Sequence, residues 1–281
     1  MSIDSLYRDR ARRAGGSWYA LVTDLSRPLV DSAAGYVDRP LVDNGADHVV
    51  EGYSVQKLAV AVAVLEKVDR GELSLGQLVA LTADDILGGS GIYFLQGVWG
   101  DQLTLANVLT AMLLVSDNTS VRLCGRLVPA AEINEILAAK GFTRTRVEPV
   151  ADPHRFRMGT TTPRETVELL RRLVEGTLLS PASSAFMVRV LRWVNGYTDG
   201  VRRVMSSAER ARVATKHGAD FNAAGAARHE AGVVFGRDGA PRITYALFAD
   251  GLGEVENYGA THPAVEAHAA LGRAMMDAVD E

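Results

Sequence analysis

The apolar positions of this 281-residue chain change period twice. Ile3 to Ala14 reads as a helix ended by Gly15-Gly16. Trp18-Tyr19-Ala20-Leu21-Val22-Thr23 then reads as a strand, with a hairpin-like return through Pro28-Leu29-Val30. From Ser54 the pattern turns helical: Leu58, Val62 and Leu65 recur at helical spacing and Gly71 closes the segment. Gly88-Gly89-Ser90-Gly91 is a loop, and Leu103–Leu114 and Ala131–Lys140 are further helices. Thr162-Pro163-Arg164-Glu165 opens another helix, with proline at its first position, running on through Val167, Leu169, Leu170 and Leu173. Residues Ser183 to Trp193 are helical again. After Ala211 strands return. Val213-Ala214-Thr215 is one, and Ala231–Phe235 and Ile243–Phe248 form a hairpin around Arg237-Asp238-Gly239. A final amphipathic helix covers His262 to Val279.

That order predicts an α+β fold of two lobes in a single catalytic domain. Residues 1–53 and 211–281 would pair into one antiparallel sheet flanked by helices. Residues 54–210 would form an all-helical lobe, with the cleft between the two.

Composition narrows the function classes. A net charge of −4 removes the electrostatic case for a nucleic-acid partner. The basic run Arg8 to Arg13, interrupted by Asp9 and Ala11, reads as the solvated face of the first helix. Cys124 is the only cysteine, which excludes an internal disulfide, and its apolar surroundings suit a buried small hydrophobe. The longest helical apolar run, Leu58 to Leu65, is too short for a bilayer, so no membrane partner is expected. Met1-Ser2-Ile3-Asp4 begins no secretory leader. As written the expectation is a cytoplasmic protein, or a secreted or periplasmic one if a leader has been trimmed. No His/Cys/Asp cluster has metal-ligand spacing, and no cofactor is expected.

Three short motifs carry candidate chemistry. Ser54-Val55-Gln56-Lys57 puts a hydroxyl and an amine three residues apart, on one helix face. A serine is a poor nucleophile until a base takes its proton, and a desolvated lysine near other cations has a lowered pKa and can be that base. Ser116-Asp117-Asn118 follows an apolar helix and offers a hydroxyl for proton relay and an amide for substrate. Lys216-His217-Gly218 ends a strand; its lysine can hold an anionic group and its glycine lets substrate lie along the strand. Each motif alone has a plainer reading: a helix cap beside a surface lysine, a capped turn, an exposed strand end. Together and in this order they outline a serine acyl-transfer site.

In these motifs the chain resembles the class A β-lactamase family of penicillin-recognising serine enzymes, whose signature is Ser-x-x-Lys, Ser-Asp-Asn and Lys-Thr-Gly. Gly89-Ser90-Gly91-Ile92, Leu103-Thr104-Leu105 and Thr161-Thr162-Pro163-Arg164-Glu165 extend the likeness. The resemblance implies that Ser54 is acylated, Lys57 is its base or relay, Ser116 shuttles a proton, and Asn118 and Lys216 contact substrate. It further implies an oxyanion hole from the N–H groups of Ser54 and Ala219, with Gly218 alongside and Tyr93 in the cleft wall. Arg146-Val147-Glu148-Pro149 resembles the loop that supplies a deacylating glutamate, which would make Glu148 a catalytic base.

The departures fall on deacylation and on recognition of the substrate carboxylate. Ala151-Asp152 replaces the usual Leu-Asn, and Gly159 stands where an acidic residue pairs with the loop arginine. His217 replaces a threonine or serine, and Ala231-Gly232 occupies the place of an expected arginine, for which Arg228 could substitute from a long Ala/Gly-rich loop, Ala219 to Arg228. The expected partner is therefore a small-molecule substrate, a β-lactam or a related amide or ester. The alternatives are a cytoplasmic serine amidase, esterase or peptidase of the same fold, and a catalytically idle ligand-binding member.

Overall fold

The computed structural model of the chain describes residues 1–31 and 35–280. Helix α1 (Ile3–Ala14) leads into β1 (Ser17–Asp31), β2 (Gly35–Asn44) and the short β3 (Val50–Glu51). A 3₁₀ turn at Tyr53–Gln56 runs directly into α2 (Lys57–Asp69). Strands β4 (Leu78–Ala80) and β5 (Gln102–Thr104) bracket a long loop, and α3 (Leu105–Leu114), α4 (Asn118–Leu127) and α5 (Ala130–Ala139) follow. Then come β6 (Arg146–Pro149), β7 (Phe156–Thr161), α6 (Pro163–Glu175), α7 (Pro181–Leu191) and the single turn α8 (Ser207–Arg210). The chain closes with β8 (Val213–Asn222), β9 (Gly225–Phe235), β10 (Pro241–Leu252) and α9 (Pro263–Asp280).

The main sheet is antiparallel, in the order β2-β1-β10-β9-β8. Strand alternation sends its side chains to two separate cores. Ala20, Val22, Val234, Tyr245 and Leu247 face α1 and α9, where they meet Tyr7, Leu271 and Met275. Leu21, Val233, Phe235, Ala246 and Phe248 face the helical side, in one continuous core with α2, α3, α6 and α7. With both faces covered, β9 and β10 are buried almost throughout. Helix α2 is buried from Lys57 to Leu65 on every side, which is why its apolar run lacks a polar stripe. Among the described residues no helix is long and apolar enough to cross a membrane.

The α+β expectation holds, and α1, α6 and α9 begin where the sequence places them. Thr162 caps α6 by accepting from the Glu165 N–H at 3.0 Å, with Pro163 at the first position. Several local expectations are corrected. Strand β1 continues through Pro28–Val30, and residues 32–34, between it and β2, lie outside the described residues. Leu103 and Thr104 belong to β5, because Thr104 caps α3 by accepting from the Asn107 N–H. Segment 54–210 is not purely helical, since it contains β4 to β7. Ala219 to Arg228 is no long loop: β8 and β9 pair up to Asn222 and Gly225, leaving a two-residue turn.

The stretch expected as a glutamate loop is also a strand. β6 pairs with β7, which pairs with β3, in a small sheet beside the 3₁₀ turn. Asn134 clamps β6 by bonding both the N–H and the C=O of Val147. Gly159 has φ +72°, and a Cβ there would lie 2.1 Å from the Arg146 carbonyl oxygen. The same residue's carbonyl accepts the Gly52 N–H at 2.9 Å, tying β7 to the residues just before Ser54. Gly159 is thus a backbone requirement of the β6–β7 crossing. Replacing it, Gly159→Ala, is expected to lower stability by about 1–3 kcal/mol, read as a shift in the urea midpoint. An unchanged midpoint would contradict the crowding.

Candidate active site

Ser54 sits in the 3₁₀ turn, half-buried, immediately before α2. The turn is held from two directions. Gln56, itself buried, reaches across with its amide to the carbonyls of Arg146, Met158 and Thr160 at 3.2, 3.2 and 2.6 Å. On the other side β8 presses close: a Cβ on Gly218 would stand 3.0 Å from the Val55 nitrogen and 3.1 Å from that of Ser54. Glycine at 218 therefore lets the edge strand approach the Ser54 backbone. Tyr53, before the serine, has φ +43°, and Ser116 has φ +57°. Such left-handed backbone in residues bearing side chains costs of order 1–3 kcal/mol and collects at functional sites.

The three motifs converge. Lys57, 0% exposed, donates to the Ser116 carbonyl at 2.6 Å, to Ser116 Oγ at 3.0 Å and to Asn118 Oδ1 at 2.7 Å. Lys216, arriving from β8, donates to the same Ser116 Oγ at 3.0 Å and to the His217 carbonyl at 2.7 Å. One hydroxyl thus bridges two buried amines. Burial pushes the Lys57 amine down to about 7, with the Asp117 carboxylate opposing the fall. Burial and then the proximity of Lys57 push Lys216 well below its ordinary value, against the pull of Glu230. At neutral pH the pair does not hold two full charges.

Asp117 fixes the turn between α3 and α4. One carboxylate oxygen accepts from the N–H groups of Ile92 and Tyr93 at 2.6 and 2.9 Å, and the other caps α4 at the Ser120 N–H, 2.7 Å away. Asn118 donates to the Gly88 carbonyl at 2.9 Å, so the glycine loop is strapped to the same turn.

Ser54, Ser116, Asn118, Gly218 and Ala219 line one cavity of about 710 Å³. Two expectations do not survive. Tyr93 is buried behind Asp117, with its hydroxyl on the Asn107 carbonyl at 3.2 Å, and is not a wall residue. Glu148 does not line the cavity either. On β6, Val147 points inward and Glu148 outward, where the side chain is 58% exposed and pairs with Arg157 at 3.7 Å. Strand alternation turns that carboxylate away, and Phe156, Arg157 and Met158 of β7 line the cavity instead.

Other residues in and around the cavity find places. His217 lines the cavity, stacked on Tyr197 with centroids 3.9 Å apart; burial and then the two lysines keep its ring from protonating. Arg228 reaches the cavity from β9, under the Tyr258 ring at 4.5 Å. His229 is structural: it contacts the Glu51 carbonyl at 3.1 Å and accepts the Ala249 N–H at 3.2 Å, and burial lowers its pKa to about 4. Cys124 is fully buried, and burial alone raises its thiol to about 12. Tyr197, Tyr258 and His268 were missed, since they come from segments with no motif and meet the cavity only through the fold.

Comparison with known proteins follows the same lines. The extended-spectrum β-lactamase PER-1 of Pseudomonas aeruginosa is 27% identical over 209 residues, 70% of this chain and 67% of that protein. A β-lactamase from Chitinophaga pinensis superposes with a TM-score of 0.79 at 21% identity, covering 98% of each chain. A mutant of PBP-A, solved as an acyl-enzyme complex with penicillin G, superposes at 0.72 with 19% identity, covering 98% of this chain and 94% of that one. The profile of the β-lactamase enzyme family matches residues 13–279, and this chain belongs to that family.

Proposed function

We propose that the protein is a serine hydrolase of the β-lactamase type that forms an acyl-enzyme on Ser54. The observation that carries this reading is the single Ser116 hydroxyl lying 3.0 Å from both lysine amines. Lys57, with its pKa near 7, takes the proton as Ser54 Oγ attacks the lactam carbonyl carbon. The developing oxyanion rests on the N–H groups of Ser54 and Ala219, an arrangement worth a few kcal/mol where both donors are in place. The C–N bond then breaks, and Ser116 gives its proton to the leaving nitrogen and is resupplied from the lysine pair. Asn118 and Lys216 orient the substrate and the relay, and Arg228 takes the substrate carboxylate.

Intact-mass analysis after penicillin G treatment tests acylation. The expected result is one covalent adduct per chain, absent in Ser54→Ala. Labelling by a fluorophosphonate but not by penicillin would move the reading to an amidase or esterase of the same fold. Unreactivity toward both would leave an idle ligand-binding member. The pH dependence has a definite sign. Lys57 must be neutral to accept a proton, so the acylation rate is expected to climb as pH rises, half-maximal near 7. A rate independent of pH through that range would rule out Lys57 as the base.

A second reading is favoured by the position of Glu148: acylation followed by slow release, as in a penicillin-binding protein. The neighbouring PBP-A mutant was captured as an acyl-enzyme with penicillin G. Since Glu148 faces solvent beside Arg157, Glu148→Gln is expected to change the rate of adduct loss by less than about twofold. A loss of about 10²-fold or more would restore it as the deacylating base.

A further inference from the structure

The turn that carries Ser54 is tied to the tip of the β8–β9 hairpin by a side chain that the proposed reaction does not use. Tyr53 directly precedes the serine, and its hydroxyl accepts from the Asn222 amide at 3.1 Å. Asn222 is the last residue of β8 before the hairpin turn. Its amide oxygen is already engaged, accepting the Ala224 N–H at 2.8 Å, which leaves the nitrogen end of the amide to face Tyr53.

A second link lies on the same side. His229, on β9, stands opposite Gly218 of β8. Its Nδ1 accepts the Ala249 N–H at 3.2 Å, so Nε2 carries the proton and donates to the Glu51 carbonyl at 3.1 Å. The Tyr53 ring packs on this imidazole with centroids 5.4 Å apart. Residues 51 to 53 are thus held to the large sheet twice, at the Glu51 carbonyl and at the Tyr53 side chain. The main chain needs this holding. Tyr53 has φ +43°, a left-handed backbone that a residue with a side chain keeps only when its surroundings over-determine it. The side chain lines the cavity wall, yet it does no acid–base work: burial raises its phenol to about 12, so it stays neutral.

We propose that Tyr53 is a positioning residue for the oxyanion hole: its bond to Asn222 sets the spacing between the turn that supplies the Ser54 N–H and the strand that supplies the Ala219 N–H. The two donors come from separate elements, so something must fix the gap between them. Glycine at 218 permits the strand to come close, but a missing side chain exerts no pull. The Asn222–Tyr53 bond supplies it. Ala219 lies three residues before Asn222 on the same strand, about 10 Å along it, so a shift of the hairpin tip is passed on to its N–H. Donors aimed at a developing charge act through position, and a small displacement costs rate far more than it costs fold. The inference rests on the reading of Ser54 and Ala219 as oxyanion donors in the proposed function.

Tyr53→Phe removes the hydroxyl and keeps the ring on His229, while Asn222→Ala removes the other partner. In acylation by penicillin G each is expected to lower the maximal rate about tenfold and to leave the half-saturating concentration within about twofold. The double variant is expected to be within about twofold of either single one, because both remove the same bond. Independent losses, about a hundredfold in the double variant, would overturn the proposal, and so would an unchanged maximal rate in either single variant. A spectroscopic readout separates displaced donors from general loosening. The carbonyl stretch of the ester on Ser54, read by infrared difference with a ¹³C-labelled lactam carbonyl, is expected to move to higher frequency in Tyr53→Phe as its hydrogen bonds weaken. An unchanged frequency overturns the positioning role. Failure of the unsubstituted protein to form the ester at all would instead defeat the proposed function, so the two failures are distinguishable.

Discussion

The site depends on one arrangement: two amines that would repel each other, held to a single hydroxyl in a dry pocket. Lys57 comes from the buried helix α2 and Lys216 from the sheet edge β8, so the meeting point exists only when both sides of the fold are docked. Placed this close and this deep, both amines cannot stay charged. The proton deficit that results is what a serine nucleophile requires of its surroundings. Asp117 pulls Lys57 toward its charged form, and Glu230 pulls Lys216 the same way. Two carboxylates that touch neither the proposed nucleophile nor each other therefore share in setting the protonation of the pair.

Local backbone strain is part of the same construction. Ser116 adopts a left-handed conformation directly after α3, and its residue neighbour Asp117 holds the turn with three backbone N–H groups. Those bonds belong to the loop from Gly88 to Tyr93 and to the first turn of α4. The glycine loop is thereby attached to the same turn that carries the shared hydroxyl.

Much of this was legible in the sequence for identifiable reasons. The Ser54/Lys57 spacing is a local property of a helical turn, and Thr162-Pro163 is a local cap, so neither needed tertiary information. Glu148 was misplaced because a glutamate beside a proline carries no sign of which face it takes; the pairing of β6 with β7 decided that. Ala219 to Arg228 looked like a loop because its small residues hide the alternation, whereas the pairing of β8 with β9 runs nearly to the tip. Arg228 thus reaches the cavity from a strand, and by a register that composition does not encode. The Asn222–Tyr53 bond joins a hairpin tip to the turn before Ser54 across 169 positions, and no spacing rule connects them.

The backbone of Ser54 is suspended between two sheets, by Gln56 and Gly52 to the small one and by the close passage of Gly218 to the large one. A hinge opening of the lobes would drag the serine out of line with its amines. Phe221 and Tyr258, which line the same cavity, meet edge-to-face with ring centroids 6.3 Å apart. The serine's place is therefore set by its chain neighbours and not by the side chain that would react.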